Sequence, residues 1–160
     1  MARVRFQLDG REVAPEFDEG MSLLEVLREI LAVTTLKDGC APEGFCGCCT
    51  VLVDGRPALA CLTAPGKIAG ASVTTLDGLP EAQRQLLARA FVREGAVQCG
   101  FCTPGIVMRA SALLERGKAT DEAAVRRALR GHLCRCTGYG RIVDAVVRAG
   151  EAQATGGGVA

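Results

Sequence analysis

Cysteine is the residue type most able to do chemistry in this chain. The sequence contains nine. Eight of them fall into two sets of four: Cys40, Cys46, Cys49 and Cys61, then Cys99, Cys102, Cys134 and Cys136. Thiolates gathered in fours hold soft metals, above all zinc and iron–sulfur clusters. The first set reads C-x5-C-x2-C, with eleven residues before Cys61. Plant-type 2Fe–2S sites use C-x4-C-x2-C and a distant fourth cysteine, so the first gap here is one residue longer. The second set joins a C-x2-C to a C-x-C. Two arrays in so short a chain point to an electron relay, with metal expected at all eight positions. Little else in the sequence could act on a substrate, so the relay needs a partner.

A loop wrapped around a compact cluster must turn sharply and aim backbone N–H groups at sulfur. Gly39, Gly44 and Gly47 suit that task. Cys48, the ninth cysteine, could replace Cys49 as a ligand. The C-x2-C pairing of Cys46 with Cys49 fits better, and Cys48 otherwise reads as a small residue packed beside the cluster. In the second set, Thr103-Pro104 begins a helix right after Cys102, and Gly138 precedes another soon after Cys136. An oxidised 2Fe–2S cluster with four thiolates carries a formal charge of about −2, which a helix N-terminus stabilises. A four-cysteine zinc site is the alternative for either quartet alone. A Rieske centre needs two histidines, and the chain has one, His132. His132 reads as a packing or hydrogen-bonding residue near Cys134. Phe45, Phe101 and Tyr139 flank the motifs, and are expected either to keep water from the clusters or simply to pack.

The rest of the composition narrows the class. A length of 160 residues admits one domain or two small ones. With 49% hydrophobic and 23% charged residues, the chain resembles an ordinary soluble protein. A net charge of +1 gives no electrostatic reason to expect nucleic acid or an anionic membrane as partner. No apolar run approaches the roughly 20 residues of a membrane helix. The opening stretch alternates like a strand and lacks the apolar centre of a secretory signal. A cytoplasmic location is the expectation, where thiols stay reduced and clustered cysteines are metal ligands more often than disulfides. No complete G-x-G-x-x-G or P-loop appears, so flavin and nucleotide would bind elsewhere.

These residues need elements to hold them. Arg3–Leu8 and Arg11–Phe17 around Asp9-Gly10 predict a hairpin, as do Thr50–Val53 and Pro57–Cys61 around Asp54-Gly55. Ser22–Leu31 predicts a helix with a capping box of Ser22 and Glu25, and Ala71–Leu76 a further strand. Beyond residue 76 the pattern turns helical. Glu81–Arg93 follows Pro80; a second helix runs from Thr103-Pro104 to a stop at Gly117. A third covers Asp121–Arg130 with Thr120 as cap, and a fourth about Arg141–Ala149. The glycine-rich end, residues 151–160, is expected to be a flexible tail.

Three segments carry a family resemblance: Gly-Phe-Cys-Gly-Cys-Cys-Thr-Val-Leu-Val-Asp-Gly from Gly44, Gln-Cys-Gly-Phe-Cys-Thr-Pro-Gly from Gln98, and Leu-Cys-Arg-Cys-Thr-Gly-Tyr from Leu133. In order and separation they resemble the two-cluster iron–sulfur module of the molybdenum hydroxylase family, which includes xanthine and carbon monoxide dehydrogenases. The resemblance spans residues 3–150. It implies an α+β fold: a plant-ferredoxin-like (β-grasp) domain over 1–76, then an all-α four-helix-bundle domain over 77–150. It also implies two 2Fe–2S clusters rather than zinc. The chain would then be the electron-transfer subunit of an oxidoreductase complex, with no substrate site of its own. Electrons would pass from a large molybdopterin-binding subunit to the Cys99/Cys102/Cys134/Cys136 cluster. They would go on to the Cys40/Cys46/Cys49/Cys61 cluster, and then to FAD on a medium subunit or to another acceptor. Gln98 and Cys136 become candidates for contact with the pterin, a loop hydrogen bond being the alternative for Gln98. The chain departs from the family's first motif, which has four residues in the first gap and alanine at the position of Cys48. The extra residue is expected as a bulge at Ala41-Pro42. A free ferredoxin-like carrier and a zinc-stabilised interaction module are the rival classes.

Overall fold

The alternating N-terminal stretch folds back on itself twice. In the computed structural model, which describes residues 1–40 and 42–156, β1 (Ala2–Arg3) pairs with β4 (Glu16–Phe17). Between them β2 (Phe6–Leu8) pairs with β3 (Arg11–Val13), so the expected hairpin is two short ladders rather than one. Asp9 and Gly10 both have positive φ, +49° and +78°. That is the turn whose twist matches a two-residue hairpin. Asp54 and Gly55 make the same turn between β5 (Thr50–Val53) and β6 (Arg56–Leu59).

β7 (Ser72–Thr74) runs parallel to β2 and antiparallel to β5, giving the five-stranded order β3-β2-β7-β5-β6. This mixed sheet grips one helix. α1 (Leu23–Glu25) continues as a π-helical turn over Val26–Ile30. The capping box forms as expected: the Ser22 hydroxyl accepts from the Glu25 N–H, and the Glu25 carboxylate accepts from the Ser22 N–H. Leu23, Leu24 and Leu27 bury against Phe6, Val51 and Val73. Each such fully buried side chain contributes about 1.5–3 kcal/mol.

Strand alternation ties this sheet to the second half. Val51 belongs to the first core, whereas its neighbour Leu52 belongs to the helical one. Side chains two apart on a strand share a face, so Thr50 points the same way as Leu52.

The helical half contains α2 (Glu81–Arg93), α3 (Thr103–Glu115), α4 (Glu122–Ala128) and α5 (Gly140–Thr155). α5 packs along α2, and α3 crosses β5. Leu87, Phe91, Ile106, Met108, Ile142 and Val146 fill its core. Together the two halves realise the α+β class. Two expectations are corrected. Asp121, not Thr120, caps α4, because its carboxylate accepts from the Ala124 N–H at 3.1 Å. The tail expected over 151–160 is helical to Thr155, where Gly156 ends α5 with φ +65°. Glu151, Ala152, Gln153 and Ala154 are strong helix formers, and the Gln153 amide donates to the Leu114 carbonyl at 3.5 Å. Residues 157–160 lie outside the described residues. No helix among the described residues is long and apolar enough to cross a membrane.

Candidate iron–sulfur sites

The first quartet gathers on the loop between α1 and β5 and on the turn after β6. Cys46 and Cys49 are buried on the loop, and Cys40 is half-buried. Cys61 is buried on a 3-10 turn, Ala60–Leu62, so it follows β6 rather than ending it. Its sulfur meets that of Cys49, while Cys40 meets Cys46. Burial pushes the Cys40 thiol up, but backbone N–H groups of Cys46, Phe45 and Gly44 outweigh it and leave the thiol below its ordinary range. The loop therefore aims amides at sulfur, as its glycines suggest. Gly44 and Gly47 have φ of +75° and +71°. A Cβ on Gly39 would sit 3.0 Å from Cys46 Sγ. Around Cys61 burial prevails and pushes the thiol up to about 12. The bulge expected at Ala41-Pro42 falls on Ala41, which lies outside the described residues.

The second quartet sits where α3 and α5 begin. Cys102 is the N-cap of α3. Cys99 and Cys136 are exposed, with their sulfurs 3.6 Å apart. Cys102 and Cys134 are half-buried and meet each other; burial pushes the Cys102 thiol up to about 12. Burial raises Cys134 too, but Thr137, through its hydroxyl and backbone N–H, and the Cys136 N–H bring it below its ordinary range. The Thr137 hydroxyl lies 3.1 Å from Cys134 Sγ. Tyr139 closes the loop: its Oη accepts from the Cys134 N–H at 2.9 Å and donates to the His132 carbonyl at 3.0 Å. Tyr139 thus clamps the loop through its hydroxyl. Phe45 is 68% exposed and Phe101 45%, but the Phe101 ring lies on the first loop, its Cε1 3.1 Å from where a Cβ on Gly39 would sit. The first loop turns its backbone and Cys46–Cys49 inward, and leaves the Phe45 ring outside.

The donor set fits 2Fe–2S clusters. Two thiolates on one tetrahedral metal with bonds of about 2.3 Å lie about 3.8 Å apart. The 3.6 Å between Cys99 and Cys136 matches that edge. The sulfurs meet as Cys40 with Cys46, Cys49 with Cys61, Cys99 with Cys136 and Cys102 with Cys134, two for each iron of a binuclear cluster.

The remaining candidates separate clearly. Cys48 is buried, and burial first, then Cys46, pushes its thiol up to about 12. Its Sγ donates to the Cys46 carbonyl at 3.7 Å, as a packed thiol would. Gln98 donates from Nε2 to the Cys136 carbonyl at 3.1 Å, so these two exposed residues are neighbours. His132 is buried; burial, then Arg109, pushes it down to about 4, with the Gly105 backbone opposing. Its contact with Thr50, 82 positions away in sequence, escapes sequence reasoning, because nothing in either segment marks the other.

Known proteins show the same organisation. A 2Fe-2S iron-sulfur cluster binding domain matches residues 6–66, and a 2Fe-2S binding domain matches residues 75–147. The nicotinate dehydrogenase small FeS subunit of Eubacterium barkeri is 38% identical over 144 residues, 89% of this chain and 91% of that one. The xanthine dehydrogenase iron-sulfur-binding subunit of Escherichia coli O157:H7 is 44% identical over 133 residues, 80% and 81% of the two chains. A solved structure of quinoline 2-oxidoreductase from Pseudomonas putida 86 superposes with a TM-score of 0.88 at 37% identity, covering 97% of each chain. With two cysteine quartets in two matched 2Fe–2S domains, the chain belongs to the small, two-cluster iron–sulfur subunits of the molybdenum hydroxylase family, electron carriers that work beside a larger partner subunit.

Proposed function

We propose that Cys99, Cys102, Cys134 and Cys136 hold the cluster at which electrons enter, and Cys40, Cys46, Cys49 and Cys61 the cluster from which they leave. Each cluster, when bound, accepts and passes on one electron at a time. One observation carries the order. The Cys99–Cys136 pair is exposed, its sulfurs 3.6 Å apart, whereas Cys46, Cys49 and Cys61 are buried. An exposed pair of ligand sulfurs suits docking on another protein, which would then exclude water from them.

In this reading the partner at that face is the large molybdopterin-binding subunit. Cys136 is the ligand nearest the pterin, and Gln98 contacts it with the side-chain oxygen left free while its amide fixes the Cys136 carbonyl. Electrons leave the first cluster for FAD on a medium subunit, or for another acceptor. Residues 1–76 and 77–150 serve as the two cluster domains, and their separate apolar cores support that division. A cytoplasmic home suits clustered cysteines that serve as metal ligands.

Low-temperature EPR of the dithionite-reduced chain, with metal quantified alongside, tests the assignment. Two distinct 2Fe–2S signals and about four irons per chain are expected. One signal, or zinc in place of iron, would overturn one quartet.

A further inference from the structure

The two matched cluster-binding segments meet at a short polar seam that neither segment contains alone. On one side are Cys46, Gly47 and Thr50; on the other, His132 and Leu133. The Leu133 N–H donates to the Cys46 carbonyl at 2.9 Å. The Thr50 hydroxyl donates to the Gly47 carbonyl at 2.7 Å, so towards His132 it acts as acceptor. His132 Nε2 lies 3.1 Å from that oxygen and supplies the proton. We propose that His132 and Thr50 form a latch that locks the two halves in one orientation, and so fixes the separation of the two cysteine quartets.

Three further observations support the latch. The seam is packed backbone to backbone: a Cβ on Gly105 would lie 2.2 Å from the Gly47 carbonyl, and one on Gly47 would lie 2.6 Å from His132 Cδ2. A small rotation of either half is therefore felt at this contact. Beside it, however, a cleft of about 230 Å³ opens between the halves, lined by Thr50, Leu59, Arg109 and His132 among others. Along that open side the Thr50–His132 bond adds direction to the packed contacts. Finally, His132 Nδ1 is buried and makes no hydrogen bond among the described residues. A buried polar atom left unpaired is destabilising, and an apolar residue of similar size would avoid it. In the latch the role of the imidazole is to fix position, the best-attested use of a buried polar group. The latch borders a candidate ligand on either side, Cys46 and Cys134, so a shift here moves one quartet against the other. His132 is a positioning residue in this scheme.

The inference rests on the two-cluster reading, and the test separates the two. Amide hydrogen exchange at Leu133 and the EPR splitting between the two reduced clusters are measured in the full, cluster-loaded chain. Thr50→Val keeps the side chain's shape and removes the hydroxyl; His132→Ala removes the donor; His132→Gln keeps an N–H. Thr50→Val and His132→Ala should each speed Leu133 exchange roughly tenfold, the effect of one lost buried hydrogen bond. Both should weaken the inter-cluster splitting while both signals persist, and His132→Gln should restore most of each. The double variant should be no worse than the worse single one, as for two ends of one bond. Unchanged exchange in Thr50→Val, or additive effects in the double variant, would overturn the latch. Should His132→Ala fail to fold, Thr50→Val decides alone. Fewer than two signals in the unaltered chain would overturn the two-cluster reading instead, and leave the latch to be judged on Leu133 exchange.

Discussion

Eight of the nine cysteines were legible as candidate ligands because ligand spacing is a covalent property, written directly into the chain. Their pairing was not. Cys99 meets Cys136 and Cys102 meets Cys134 only once the start of α3 and the loop before α5 are brought together. The choice between Cys48 and Cys49 turns on similar detail. Cys48 Sγ is engaged with the Cys46 carbonyl and does not pair with Cys61, whereas Cys49 does. Cys48→Ala should therefore keep both EPR signals and the full iron content. Cys49→Ala should abolish one signal and lower bound iron by about half. Loss of a signal in Cys48→Ala would make Cys48 the ligand. At the entry side, Cys136→Ser in the assembled enzyme should stop substrate-driven flavin reduction, followed as bleaching of the flavin band in anaerobic stopped flow. Flavin reduction at the unaltered rate would contradict the proposed order of the relay.

Elements were readable where their ends are set by local chemistry. The Asp-Gly turns and the Ser22–Glu25 capping box needed no tertiary knowledge. The Glu25 carboxyl is held below its usual value, first by the Ser22 backbone N–H and then by the Ser22 hydroxyl. With its folded pKa below the unfolded one, its contribution is present above pH 4.5 and lost as pH falls through the folded value. Glu25→Ala should thus lower thermal stability at pH 7, by an amount within about 1 kcal/mol for so exposed a group, and by less at pH 4. The far end of α5 was less readable, because its glycine run masked helix formers that dock on α3. Gly150 lies inside α5, where propensity alone favours alanine by roughly 0.5–1 kcal/mol. A Cβ there would lie 2.8 Å from the Ala119 carbonyl carbon and from Ala119 Cβ. Overpacking of that kind costs about 1–3 kcal/mol, so Gly150→Ala should destabilise in urea unfolding, against the propensity scale. A gain in stability would mean that the loop before α4 yields easily.

For the molecule as a whole, the open question was how two cluster-bearing halves become one object. The sequence marks a change of character near residue 76, and the two apolar cores agree with it. What it hides is that β5 serves both cores, since strand parity says which residues share a face but not what each face meets. Val51 enters the first core while Leu52 and Thr50 face the helices, so strain on one side of β5 reaches the other directly. The chain has one tyrosine and no tryptophan. Tyr139 fluorescence therefore reports the helical half alone, through a side chain bonded to Cys134 and His132. Val51 is fully buried in the other half. Val51→Ala should cost roughly 1–3 kcal/mol, somewhat less than the deletion of a larger side chain. Were the halves to unfold independently, the Tyr139 transition would stay where it is. With β5 shared and the latch closed, the Tyr139 midpoint should fall together with the far-UV circular dichroism midpoint, in one coincident transition. A Tyr139 midpoint that ignores Val51→Ala would show two halves joined only by the chain, and a rigid spacing of the clusters would then have to come from the partner subunit.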